Sequence, residues 1–509
     1  MAVSYASPGV YVEEVDRGTK PIEAVGTSTA AFVGITAEAS LKAVDPDTGE
    51  RAPVESRLNK STLVTNWTQF VDIFGGFTPG AYLPDAVYGY FANGGGPCYV
   101  TSLRALKESD AAVSAASAVI PPASGKAKCF TVTAKTPGPG GNELKVTIKS
   151  SEDGFTMSVG GETKSGLTMK KGEGYVGDAA FSAITISDVG SAAPAEGTYA
   201  LSGGGVQPLT AADFIGDVSE RTGLGGLEAL DDVRLVLFPD LMAGYDGSDE
   251  AKERVKMVQT AMIAHCENMR YRFAVLDTPP GLNAQQAKEW RAYVNFDSSY
   301  AAMYYPWIEI ADLSGSGQTS KFVPPSGHVV GIYNRTDAER GVHKAPANEV
   351  VLGAINLEIN LSKGEQDTLN PIGVNCVRSF PGRGIRVWGA RTLSSDGSWR
   401  YINVRRLFIL VGASLDAGMQ WVVFEPNDST LWAKVTRDVT SFLRTIWRAG
   451  ALFGTTPEQA FYVKCDEELN PQEIRDLGQL IIEVGLAPVK PAEFVIFRIS
   501  QWAGANAEA

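Results

Sequence analysis

The chain is poor in the side chains that most often carry enzyme chemistry. Its 509 residues include three histidines and five cysteines. The cysteines are odd in number and scattered, which fits reduced thiols in a core better than a disulfide framework. Spacings typical of metal ligands, such as CxxC or HxxxH, are absent, and the histidines form no triad with a nucleophile and a carboxylate. We therefore expect no metal, no cofactor and no catalytic residue, and a protein that is not an enzyme.

Long apolar runs and a targeting leader are also missing. No run approaches the roughly 20 apolar residues that are needed to cross a bilayer. The first ten residues, MAVSYASPGV, contain neither a basic leader nor an apolar region. We expect a protein that is made in the cytoplasm without a signal peptide and that does not insert directly into a membrane.

Nucleotide-binding motifs are missing too. Two apolar runs end in Asp240 and Asp277, as the magnesium-binding strand of P-loop NTPases does, but the GxxxxGK[ST] loop that cradles phosphates occurs nowhere. Aspartate at the end of a strand is also a common turn or helix-cap residue. His265 and Cys266 are adjacent, yet they share a helix face with apolar residues, which indicates a place in the core. An α/β enzyme that binds a nucleotide or metabolite stays open as the alternative.

Positive charge is scarce overall but concentrated in one segment. The formal net charge of -13 argues against a surface that broadly attracts nucleic acid or anionic lipid. Between residues 378 and 448, however, basic side chains outnumber acidic ones. Nucleic-acid binding by this segment is a further alternative, although the acidic remainder leads us to expect no nucleic-acid partner.

One predicted helix within this segment separates its apolar and basic residues. At about 100° per residue, an apolar face that includes Trp432, Val439 and Phe442 lies opposite a basic stripe. The stripe consists of Lys434, Arg437, Arg444 and Arg448. Such a stripe is either an ordinary solvated surface or an electrostatic contact with an acidic partner.

The order of strand and helix signals predicts an α/β (α+β) multidomain fold. Alternating elements indicate a central mixed α/β sheet domain, and residues 107–208 have the short alternating segments and Gly-rich turns of an inserted all-β domain. Two long helices, at about 402–420 and 429–448, are separated by the strand-like WVVFEP. Extended N- and C-terminal strands complete the predicted fold.

The two terminal strands have no obvious partner in the chain. ASPGVYVEEVDRG lies near the start and EFVIFRISQ near the end. A single strand cannot satisfy its own backbone donors and acceptors, and free strand edges attach to other chains. The residues alone leave open what these two strands pair with.

Stretches at both ends of the chain point to a family. SPGVYVEEVDRG near the start is followed, much later, by VWGARTL, FEPNDSTLW and the final strand. This set resembles the tail sheath protein family of contractile bacteriophage tails and contractile injection systems. The resemblance implies a structural subunit that polymerises helically around an inner tube and contracts to drive the tube through a target envelope. It also implies a homo-oligomer with the inner tube protein, baseplate proteins and terminal cap proteins as partners, in a phage tail or an injection particle.

The same resemblance implies roles for individual residues and domains. Both terminal strands would be donated to neighbouring subunits through Val10, Tyr11, Val12, Glu13, Val15, Phe494, Val495, Ile496, Phe497 and Ile499. The basic stripe, Lys434, Arg437, Arg444 and Arg448, would contact the tube. The implied domains are an N-terminal arm (1–25), an α/β domain (26–106 plus 209–345), an outward-facing β insert (107–208), a tube-facing core domain (346–490) and a C-terminal strand arm (491–509).

Overall fold

The computed structural model describes residues 22–498, apart from 45–50, 108–112, 125–128, 136–140, 143, 152–153, 207 and 315–317. Val10, Tyr11, Val12, Glu13, Val15 and Ile499 therefore lie outside the described residues. The chain divides into two compact units. The larger unit comprises residues 26–409 and 490 onward, and the smaller unit comprises 410–489 and the chain up to residue 25.

A mixed sheet of nine strands forms the centre of the larger unit. In spatial order the strands are Glu349–Val350, Gly384–Val387, Val374–Phe380, Ala301–Tyr305, Phe273–Asp277, Leu235–Leu237, Ala30–Thr36, Cys98–Ala105 and Thr62–Val64. The six strands from Val374–Phe380 to Cys98–Ala105 are parallel, and antiparallel strands close both sides. The predicted central mixed sheet is confirmed.

Both faces of this sheet are covered, because its central strands are apolar on both sides. Within Ala30–Thr36, Ala31 and Val33 belong to one buried cluster, whereas Ala30 and Phe32 belong to the other. Successive side chains of a strand point to opposite faces, so an unbroken apolar run requires a packed layer on each side. The helices of the larger unit are Trp67–Phe74, Leu83–Ala92, Ala211–Ile215, Gly223–Gly226, Asp249–Met269, Ala284–Val294, Ser326–Arg340, Lys363–Leu369 and the start of Ile402–Gly418.

The predicted all-β insert is confirmed, and it has a core of its own. One sheet contains Glu162–Leu167, Gly154–Val159, Lys145–Ser151 and Gly197–Ala200, and a second contains Ile184–Ser187, Phe130–Ala134 and Ser117–Ile120. A short pair, Val113–Ser114 and Gly205–Val206, joins the ends of the insert. A separate buried cluster that includes Phe130, Val146 and Met157 fills the space between the strands.

Smaller sheets complete the larger unit. Ile308–Ala311 pairs with Ser320–Val323 and Ala354–Leu357, and Ser40–Val44 forms a hairpin with Arg51–Ser56. Three strands between residues 349 and 387 belong to the central sheet, so the structure divides the chain near residue 409 rather than at the implied boundary of 345/346. The implied domain roles stay a prediction.

The described residues of the smaller unit form helices and one two-stranded sheet. Its helices are the end of Ile402–Gly418, Ser429–Arg448, Pro457–Ala460 and Gln472–Asp476, and its strands are Phe461–Lys464 and Glu483–Leu486. The prediction of a strand at WVVFEP is wrong, because Gln420–Val422 forms a 3-10 turn between two helices. Phe424 then takes a positive φ of 69°, which lies outside the extended backbone of a strand, and its side chain is fully exposed. In the part of the chain that the structure describes, no helix is both long and apolar enough to span a membrane.

Candidate assembly surfaces

The described end of the chain, residues 494–498, is termed the C-terminal segment. It carries an apolar sequence in an exposed place: Phe494, Val495, Ile496 and Phe497 are 70–83% exposed. The segment makes no strand pairing with any residue that the structure describes. Four consecutive exposed apolar side chains with an unpaired backbone are the features of an edge that another chain can cover.

The residue before this segment is held firmly in the larger unit. Arg391 donates from Nε to Glu493 Oε1 at 2.9 Å and from Nη2 to Oε2 at 2.7 Å. Asn370 Nδ2 donates to Oε1 at 2.6 Å, and the Tyr401 hydroxyl donates to Oε2 at 2.9 Å. Burial alone would raise the pKa of the Glu493 carboxyl, but the hydrogen bonds from Arg391, Asn370 and Tyr401 outweigh it, so the pKa lies below its usual range. We call these four residues the Glu493 anchor.

A groove of about 940 Å³ lies beside the anchor, and residues 490–495 form part of its wall. Phe380 and Trp388 also line the groove, with ring centroids 4.5 Å apart. Arg378 lies over the Phe380 ring at 5.2 Å from its centroid. The groove therefore presents aromatic and cationic surface next to the C-terminal segment.

The two-stranded sheet of the smaller unit has outer edges without a strand partner among the described residues. Phe461–Lys464 and Glu483–Leu486 pair with each other, and the ladder continues where Phe453 N donates to Ala487 O at 2.7 Å. A sheet of two strands is marginally stable alone, and its free N–H and C=O groups are available to further strands. Exposed Tyr462 lies on this sheet, and its hydroxyl bonds Glu483 at 2.5 Å.

Residues 22–25, the described end of the N-terminal arm, belong to the smaller unit. Ile22 is buried and lies against Gly418, where a side chain on the glycine would come within 2.8 Å of it. Val25 N donates to Ser414 Oγ at 3.1 Å. The described residues nearest the predicted N-terminal strand are therefore fixed to the smaller unit.

Helix Ser429–Arg448, the basic helix, has the two faces that the sequence predicts. Its buried side chains are Leu431, Trp432, Val435, Val439, Phe442, Leu443 and Ile446. Lys434, Arg437, Arg444 and Arg448 are all exposed. Asp428 caps the start of the helix, and its Oδ1 accepts from Leu431 N at 2.8 Å. The stripe is thus accessible, while its contact with a tube stays a prediction.

The two strand-end aspartates serve as structural groups. Asp240 is buried and accepts hydrogen bonds from Ile35 N (2.6 Å), Tyr82 N (2.5 Å) and Leu83 N (3.2 Å), which places it at the start of helix Leu83–Ala92. A side chain on Gly34 would come within 2.3 Å of Asp240 Oδ2, so this close approach requires glycine. Burial raises the pKa of Asp240 to about 7 despite these three amides.

Asp277 has the same kind of role. Its carboxylate accepts from Ser326 N at 3.0 Å and from Ser326 Oγ at 2.6 Å, at the first turn of helix Ser326–Arg340. Both carboxylates are therefore occupied by helix termini rather than directed at an open phosphate site. This arrangement favours the structural interpretation of the two strand ends.

The adjacent His265 and Cys266 are core residues, as predicted. His265 Nε2 lies 2.6 Å from Arg272 Nη1, and burial together with the Arg272 charge lowers the His265 pKa to about 4. Burial raises the pKa of the Cys266 thiol to about 12. A neutral buried imidazole beside a protonated buried thiol does not make an activated nucleophile.

The sequence did not indicate the Glu493 anchor. Arg391 and Glu493 are 102 positions apart, and neither stands in a local pattern that is specific to an ion pair. Only the fold, which brings Asn370, Arg391 and Tyr401 to one place, reveals it.

Comparisons with known proteins agree with this architecture. A family model described as phage tail sheath protein central domain matches residues 222–393, and one described as phage tail sheath C-terminal domain matches residues 394–501. Together they span more than half of the chain.

Two similar proteins and one solved structure extend the match. A putative prophage major tail sheath protein of Pseudomonas aeruginosa (strain UCBPP-PA14) is 28% identical over 57% of this chain and 74% of its own length. The tail sheath protein of Burkholderia phage BcepMu is 26% identical over 97% of this chain and 96% of its own. The helical sheath of the anti-feeding prophage in its contracted state shares the fold, with a TM-score of 0.60, 24% identity, and 98% of this chain and 100% of that chain covered. The chain therefore belongs to the tail sheath protein family.

Proposed function

We propose that this protein is the structural subunit of a contractile sheath, which polymerises helically around an inner tube and contracts to drive that tube through a target envelope. The observation that carries the proposal is the exposed, unpaired and apolar C-terminal segment in a chain of the tail sheath family. The particle would be a phage tail or a contractile injection particle.

Strand donation would connect the subunits. Added strands gain affinity from main-chain hydrogen bonds and register from alternate side chains. The open two-stranded sheet of the smaller unit offers edges of the kind that can receive such strands. Because donor and acceptor surfaces differ, the contact is heterologous and generates an open helical filament. Contraction then requires no nucleotide, since an extended state that is kinetically trapped above the contracted one releases the difference as work.

The remaining partners follow from the same proposal. The basic stripe would face an acidic tube surface through several weak contacts, each worth about 0–1 kcal/mol and screened by salt. Weak contacts suit a tube that must be released. Baseplate and terminal cap proteins would bind the ends of the sheath, and the chain would act without catalysing a reaction.

Electron microscopy of the purified protein tests the proposal. We expect hollow helical tubes from the full chain, and soluble subunits after deletion of residues 1–17. Two further variants test the C-terminal segment, Val495→Pro and Ile496→Pro, because proline removes a main-chain donor. Alternate residues of an added strand face its ladder, so at least one of the two should abolish tubes. The matched controls Val495→Thr and Ile496→Thr keep the donor and should assemble.

Two outcomes would contradict the proposal. A full chain that forms no tubes, alone or with its tube protein, would argue against a sheath subunit. Tubes that persist in both proline variants and in the N-terminal deletion would instead reject strand donation.

A further inference from the structure

We propose that the Glu493 anchor fixes the point at which the C-terminal segment leaves its own subunit, so that the pull between neighbouring subunits passes through the ion pair of Glu493 and Arg391. This inference rests on strand donation as proposed above. It assigns to two residues of the chain a positioning role in sheath assembly and contraction.

The first support is the change in side-chain exposure between Glu493 and Phe494. The Glu493 side chain is 19% exposed and that of Arg391 is 10% exposed, whereas Phe494, the next residue, is 70% exposed. A donated strand transmits force to its own subunit only if the residue at its base is fixed. If that residue were free to move, the chain would extend before any force reached the rest of the subunit. The structure has such an end immediately before the exposed segment.

The second support is the geometry of the contact. Both carboxylate oxygens of Glu493 receive two hydrogen bonds, from Arg391 and Asn370 on Oε1 and from Arg391 and Tyr401 on Oε2. A bidentate arginine–carboxylate pair resists rotation as well as separation, which a single hydrogen bond does not. The anchor thus fixes the direction of the segment as well as its starting point.

The third support is that Arg391 is itself fixed to the central sheet. Its N–H donates to Asn375 Oδ1 at 2.7 Å, and Asn375 Nδ2 donates back to the Arg391 carbonyl at 2.8 Å. Asn375 is fully buried in strand Val374–Phe380. A side chain on Gly389 would come within 2.9 Å of the Asn375 Cα, so the backbone before Arg391 lies directly against that strand. A continuous path of contacts therefore leads from Glu493 to the central sheet of the larger unit.

Hydrogen exchange and electron microscopy on the full chain test this role. In assembled tubes, where strand donation would protect the segment, Glu493→Ala should accelerate amide exchange across residues 490–498 by about ten- to hundredfold, because a charged hydrogen-bonded contact of this kind is lost. Tyr401→Phe, which removes one donor and keeps the ring, should give a smaller acceleration. Both variants should form fewer tubes, which shed subunits faster in dilute guanidinium, while exchange of the central strands stays unchanged. Glu467→Ala, at an exposed site, is the matched control and should behave as the native chain.

The outcomes separate this inference from the proposed function. If the native chain forms tubes and Glu493→Ala forms equally many, equally resistant tubes with unchanged exchange at 490–498, the anchor has no such role although the sheath proposal stands. If exchange rises everywhere in Glu493→Ala and also in Tyr401→Phe, the contact is a general structural one and the inference is overturned. If the native chain forms no tubes, the sheath proposal itself fails.

Discussion

Two groups of arginines in the basic segment 378–448 have opposite surroundings. In the larger unit, Arg406 is buried and donates to Asp337 at 2.5 and 2.9 Å, and also to the Thr27 carbonyl at 3.1 Å. Arg391 makes the equivalent bidentate contact with Glu493. These guanidinium groups have left water and are compensated by carboxylates, as burial demands.

The arginines of the basic helix are the second group. Arg437 and Arg444 are exposed, and Arg437 has its neighbour Asp438 as an ion-pair partner at 3.0 Å. Exposed pairs contribute little to stability, but exposed charges are accessible to another molecule. One run of positive charge in the sequence therefore contains two kinds of arginine, and burial separates those that stabilise the fold from those that stay accessible to another molecule.

The largest expected effect concerns the buried pair. Asp337→Ala should reduce the free energy of unfolding by about 3–5 kcal/mol, because it leaves the Arg406 guanidinium buried without its carboxylate. Urea denaturation of the unassembled chain measures this loss. The double variant Asp337→Leu with Arg406→Met removes both charges and should recover much of the stability. A loss below about 1 kcal/mol would contradict this prediction, because it is the size expected of an exposed ion pair.

A buried histidine extends the comparison to the effect of pH. His328 is fully buried, its Nδ1 has no hydrogen-bond partner among the described residues, and burial lowers its pKa to about 4. Between pH 6.5 and 4 the unfolded chain takes up a proton that the folded chain does not, so stability falls as the pH falls. The contribution is about 1.4 kcal/mol per pH unit.

A variant that cannot titrate isolates this contribution. His328→Gln should lower the slope of unfolding free energy against pH in that window, whatever its effect at pH 8. His343→Gln, at a half-buried site whose pKa is lowered as well, should change the slope less. Equal slopes in the native chain and in His328→Gln would contradict the prediction.

The smallest effect on stability is expected at the basic stripe. Arg437→Glu with Arg444→Glu should change the free energy of unfolding by no more than about 0.5 kcal/mol, since both side chains are exposed. The same variant should reduce sheath assembly around the inner tube, and the native contact should weaken with salt. Lys170→Glu with Lys171→Glu in the insert makes the same change in net charge and is the control. Unchanged assembly in the stripe variant would remove the stripe from the proposed tube contact.

The elements that the sequence predicted well are those with local signals. The strand Phe273–Asp277 ends an apolar run, and the helix Asp249–Met269 has the helical periodicity that groups His265 and Cys266 with apolar residues. The buried face of the basic helix follows from its spacing in the same way. The prediction of a strand at WVVFEP was wrong because a short apolar run usually indicates a strand. In the structure, Val423 and Phe424 are exposed between two helices.

The contacts that could not be predicted join residues far apart in the chain. Nothing near Arg391 or Arg406 distinguishes these residues from Arg437 and Arg444, because the partners Glu493 and Asp337 are found only through the fold. The sequence shows how many basic residues a segment contains. Whether a given basic side chain is buried depends on its tertiary neighbours. The exposed positions of the basic stripe were therefore predictable from the sequence, whereas the buried ion pairs were not.

The position of the insert has a consequence for how such particles diversify. The chain leaves the central sheet after Cys98–Ala105 and re-enters it at Leu235–Leu237, and these strands lie on either side of Ala30–Thr36. The insert closes on itself through its own terminal strand pair and fills its own core. We therefore expect that a module of another size can replace it without a change of register in the sheet. Variation in this module would then leave the central sheet, and the surfaces that the sheet positions, unchanged.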